Sequence, residues 1–86
     1  MNFKQPTNVH ALTVYENPRF PESWPTESLI QVWDELEKRW KTAKHSVFLQ
    51  GPVVSYALEL RRIKKLRYAP WNNYFRNFHT SEIELR

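Results

Sequence analysis

Residues 26–44, "TESLIQVWDELEKRWKTAK", decide the fold class, because the period of their apolar side chains selects helix or strand for the middle of the chain. Leu29, Val32, Trp33, Leu36, Trp40 and Ala43 recur at the spacing of one helical face. Thr26 is a good N-cap and Glu27 falls in the first turn. Asp34 precedes Lys38, Glu35 precedes Arg39 and Glu37 precedes Lys41, each an acid four residues before a base. Acids early and bases late also suit the helix dipole. The spacing predicts an amphipathic helix over 26–44 with Trp33 and Trp40 in the core.

Residues 46–50, "SVFLQ", are too short a run to type by period. Gly51-Pro52 then breaks the chain, and proline is at home in a first helical turn, so a second helix is expected over 52–68, ending before Pro70. In that reading Leu60, Ile63 and Leu66 fall within an arc of about 120°. Arg61, Arg62, Lys64 and Lys65 fall on the opposite arc as a cationic stripe. The first half is apolar nearly all round and should be the more buried.

The first 25 residues hold four of the six prolines, and only Val9 to Tyr15 has the β-branched content of a strand. Residues 17–25 read as an extended connection with Phe20 and Trp24 folded back. Residues 69–86 are aromatic, and Asn72-Asn73 could turn a hairpin, with a short third helix as the rival. The expectation is one α+β domain over 1–86: two packed helices beside an N-terminal strand and a C-terminal strand or hairpin. An all-α three-helix domain is the alternative.

At 86 residues the chain has room for one domain with a small core. There are no cysteines, hence no disulfides and no thiolate chemistry, and the 15% aromatic content must supply much of the core. No apolar run approaches the length of a membrane span, and the first residues lack the apolar stretch of a signal peptide. A soluble cytoplasmic protein is expected.

Charge is unevenly placed. The formal net charge is +4, yet residues 1–25 and 26–50 each sum to zero, so the whole excess lies in 51–86. No acid occurs between Leu60 and Ser81, while Arg61, Arg62, Lys64, Lys65, Arg67 and Arg76 do. Tyr68, Trp71, Tyr74, Phe75 and Phe78 are interleaved with these cations and with Asn72, Asn73 and Asn77. Cations neutralise phosphates, while rings and amides stack on bases and read their edges. The plainer readings are a solvated helix face for the cations and core for the rings.

Other chemistry has little support. A single glycine excludes a Gly-rich phosphate loop. His10, His45 and His79 lie far apart with no cysteine to join them, so no metal and no cofactor is expected. A small basic ribonuclease using His79, Arg76 and Tyr74 is the one enzyme the residues allow, against the plain reading of His79 as a polar end to an aromatic segment. A helix-turn-helix around Gly51 would put the cations at the wrong end of the reading helix.

The resulting expectation is a non-enzymatic nucleic-acid-binding module. Arg61, Arg62, Lys64, Lys65 and Arg67 would meet phosphates, and Trp71, Tyr74 and Arg76 would meet bases or sugars. The alternative is a protein–protein interaction module using the same surface, since Trp, Tyr and Arg are enriched at interface hot spots.

Overall fold

A computed structural model describes residues 1–72 and 80–86. Its strands are β1 (Asn2–Glu16), β2 (Glu27–Asp34), β3 (Arg39–Val47), β4 (Val53–Trp71) and β5 (Thr80–Leu85), with a 3₁₀ turn at Pro21–Ser23. They form one sheet in the order β3-β2-β4-β1-β5, with every neighbouring pair antiparallel. Among the described residues there is no α-helix. The chain is therefore all-β, and both the α+β expectation and its all-α alternative are corrected.

The helix expected over 26–44 is the β2–β3 hairpin. Trp33 and Trp40 stand seven apart, which places them together on a helix, but they are direct cross-strand partners about the turn between Asp34 and Arg39. Two geometries share that spacing. The turn is made by Asp34, whose Oδ1 accepts the N–H groups of Leu36 (2.8 Å) and Glu37 (2.9 Å), while its carbonyl accepts the N–H of Lys38 at 2.9 Å. Lys38 closes the turn at φ 55°. Leu36, counted as a core residue by the helical reading, sits at the tip and is 95% exposed. The acid–base series serves the tip instead, with Lys41 Nζ 2.9 Å from Asp34 and 2.7 Å from Glu37.

The helix expected over 52–68 is the first sixteen residues of the long central strand β4. Val54, Tyr56, Leu58 and Leu60 turn toward the core while Val53, Ser55, Ala57 and Glu59 are exposed, a period of two. Leu60, Ile63 and Leu66 keep to the inner side despite their spacing of three because the strand is irregular between them. Pairing with β1 slips between Val9↔Leu60 and Thr7↔Ile63, and the extra residue, Arg62, is left-handed at φ 53°. The Arg62 N–H that the bulge would strand donates to Asn8 Oδ1 at 2.9 Å.

Nineteen extended residues would span roughly 60 Å, but the longest dimension of the molecule is 39 Å, so β4 curls. Its Val53–Lys65 part pairs with β1, and its Leu66–Trp71 part pairs with β2. The handover is at Leu66, whose N–H donates to the Met1 carbonyl (2.9 Å) and whose carbonyl accepts from the Met1 amine (2.6 Å). The curled sheet buries Val9, Leu12, Val14, Ile30, Tyr56, Leu58 and Leu66 on one side. Inside it the Ser28 and Tyr56 hydroxyls share a 2.8 Å hydrogen bond. Burial, with Tyr56 alongside, raises the Tyr68 hydroxyl pKa above that of an ordinary phenol.

The strand expected at 9–15 occupies only the C-terminal part of β1. In the connection after it, Trp24 folds back and donates its indole N–H to the Asn17 carbonyl at 3.0 Å, whereas Phe20 stays 38% exposed. The hairpin or third helix expected beyond Asn72 falls largely outside the described residues.

Candidate nucleic-acid interface

Strand alternation gives β2, β3 and the end of β4 a common outer face. Ile30 and Leu66 point inward and are fully buried, so Gln31 and Trp33 on β2 and Lys65 and Arg67 on β4 point outward. Thr42 and Trp40 of β3 join them as the partners of Gln31 and Trp33. The two indoles meet edge to face, centroids 5.6 Å apart at 69°. Each also carries a cation: Lys65 Nζ is 5.4 Å from the Trp33 centroid and the Arg67 guanidinium carbon is 4.3 Å from the Trp40 centroid. Arg67 is held from the side, its Nε donating to Gln31 Oε1 at 2.6 Å, while Gln31 Nε2 donates to Thr42 Oγ1 at 3.2 Å. One hydrogen-bonded row thus crosses three strands.

Arg61, Arg62 and Lys64 are exposed around the bulge and line a depression with Trp33, Asp34 and Glu35. Their electrostatic setting differs from that of the hairpin-tip cations. Lys38, Arg39, Lys41 and Arg86 are ion-paired, but none of Arg61, Arg62, Lys64, Lys65 and Arg67 forms an ion pair among the described residues. The carboxylates of the hairpin tip are already engaged. The Glu37 N–H and then Lys41 hold Asp34 below the ordinary aspartate pKa, and Lys41 followed by Arg39 does the same for Glu37. Lys41 in turn is raised, by Glu37 first and Asp34 second.

Six of the eight expected residues therefore lie on β4, the five cations as a row on a strand and not as a helical stripe. Trp71 is on the same strand but six residues beyond Lys65, roughly 20 Å away. It is 44% exposed and borders a separate groove with Val47, Phe48 and Leu49. Tyr74 and Arg76, and with them His79, lie outside the described residues. Trp33, Trp40 and Gln31 were missed as surface residues. The signal for them was in "LIQVW" (29–33), where strand parity sets Gln31 and Trp33 opposite Ile30 and Val32.

No family model, curated protein or solved structure matches this chain. Among the described residues, no group of three His, Asp or Glu side chains is placed to hold a metal ion, and no helix is long and apolar enough to cross a membrane. His45 instead bonds through Nε2 to Glu27 across the β2–β3 pair.

Proposed function

We propose that this chain is a non-enzymatic, cytoplasmic nucleic-acid-binding module whose interface is the outer face of β2, β3 and the second half of β4. Arg61, Arg62 and Lys64 neutralise phosphates, and the Trp33–Lys65 and Trp40–Arg67 pairs meet bases or sugars. The observation that carries this reading is the packing of Lys65 over Trp33 and of Arg67 over Trp40 on one sheet face, with Arg61, Arg62 and Lys64 exposed on the same strand. Opposite charges facing each other across strands stabilise a sheet. Here the matching acids serve the hairpin tip.

The test is a salt titration of binding to a labelled oligonucleotide. Contact of Arg61, Arg62 and Lys64 with phosphates predicts a loss of affinity of about one to two orders of magnitude between 50 and 200 mM salt. Arg61→Glu with Lys64→Glu should weaken binding at least tenfold while the melting temperature holds. A flat salt response removes the reading.

A second reading, a protein-docking surface, is favoured by a different observation. Val47, Phe48 and Trp71 are 49%, 89% and 44% exposed around one groove, and Phe48 is held at φ 56°. If that groove is a hot spot, Trp71→Ala should cost about 2 kcal/mol or more of partner affinity. An unchanged affinity would discard it.

A further inference from the structure

The nucleic-acid reading leaves the ligand's strandedness open, and the geometry of the face narrows it. We infer that the ligand is single-stranded, with unpaired bases stacked over the Arg67–Trp40 and Lys65–Trp33 pairs and its phosphates led past Arg61, Arg62 and Lys64. This inference rests on the nucleic-acid reading above.

The first argument is width. The face spans three strands, about 10 Å between the outer backbones before any side chain is added. A major groove about 12 Å wide admits a helix or a two-stranded ribbon. The face is too broad to enter it.

The second argument is what the rings offer. Bases in a duplex hide their faces in the stack, so an indole on an open sheet can engage them only when they are unpaired. Trp40 is roofed by Arg67, whose side chain is itself exposed, so the outer side of the guanidinium is the surface a base would meet. Guanidinium planes stack with bases as aromatic rings do. The Gln31–Thr42 row holds that plane before any ligand arrives, which removes part of the ordering cost of binding. Gln31 is thus a positioning residue that touches no ligand.

The experiment uses the full chain, a labelled mixed-sequence ten-nucleotide single strand and the same sequence as a blunt duplex, at 50 mM salt, with indole fluorescence followed alongside. The single strand should bind at least tenfold tighter and quench the indoles, and the duplex should do neither. Arg67→Gln keeps a polar partner for Gln31 but loses the guanidinium plane. It should cost the single strand about tenfold or more, as loss of a stacked base does, and abolish most quenching while the melting temperature holds. Gln31→Leu should weaken single-strand binding and leave the residual duplex affinity unchanged. Equal or tighter duplex binding without quenching would overturn the inference and leave the nucleic-acid reading standing. No binding to either oligonucleotide would remove both.

Discussion

Lys38 sits at φ 55° at the end of the β2–β3 turn, in a backbone region that costs a residue with a Cβ about 1–2 kcal/mol. Its side chain meets only Glu35, on the surface, where an ion pair is worth little. Lys38→Gly relieves the strain at the expense of unfolded-state entropy, so a net gain of about 0.5–1 kcal/mol is expected in chemical denaturation. Arg62→Gly at the β4 bulge should also stabilise, since its backbone hydrogen bond to Asn8 does not depend on the side chain. It should at the same time weaken nucleic-acid binding, which separates the strain at this position from its charge. In the core, Tyr56→Phe leaves the buried Ser28 hydroxyl without its partner and should cost about 1–3 kcal/mol by the same measurement.

At the scale of the element, the β2–β3 hairpin is closed by charge as well as by its tryptophan pair. Asp34 has a folded pKa below the ordinary 3.8, so its contribution to stability is present above that value and is lost as pH falls through the folded pKa. Glu37 acts in the same sense below 4.5, and Lys41, raised above 10.5, contributes until pH climbs through its folded value. Stability should therefore decline below about pH 4 and again above about pH 10.5, and Asp34→Asn should flatten the acid limb. A carboxyl titration by NMR that places Asp34 at or above 3.8 would contradict this. The same hairpin explains what was legible in the sequence. The cationic row, the strand around Val9 to Tyr15 and the break at Gly51-Pro52 could be read from residue type alone. The strand nature of 26–44 could not be read from a periodic count, because Leu29, Trp33, Leu36 and Trp40 belong to two arms and a tip that together imitate one helical face. The alternation Val54, Tyr56, Leu58, Leu60 was visible, but the bulge at Arg62 and the further register shift between Ile63 and Lys65 reset its phase twice and made Leu60, Ile63 and Leu66 resemble a helix. With the elements mistyped, Trp33 and Trp40 went to the core and out of the site.

At the scale of the whole molecule, one strand holds both halves of the sheet together. Leu66 is fully buried where β4 passes from β1 to β2, so Leu66→Ala should cost about 2–5 kcal/mol and melt both halves in a single transition. The pairings that build β4 into the sheet join distant parts of the chain, Asn2 with Lys65 and Glu27 with Trp71. Folding should accordingly fall in the millisecond-to-second range in stopped-flow experiments, far slower than the helical pair first expected.

Over Leu66–Trp71 the backbone of β4 is hydrogen-bonded to β2 along one edge, and its side chains alternate between the two faces of the sheet. In the stretch 65–71 those side chains are sorted letter by letter: Leu66, Tyr68 and Pro70 turn inward to build the protein, and Lys65, Arg67, Ala69 and Trp71 turn outward to its surroundings. Two texts are interleaved in one line of sequence, and mutation can edit one without garbling the other. Randomising positions 65, 67, 69 and 71 in a displayed library should return mostly folded clones with altered ligand preference, which would make this short chain a scaffold for selecting new binders.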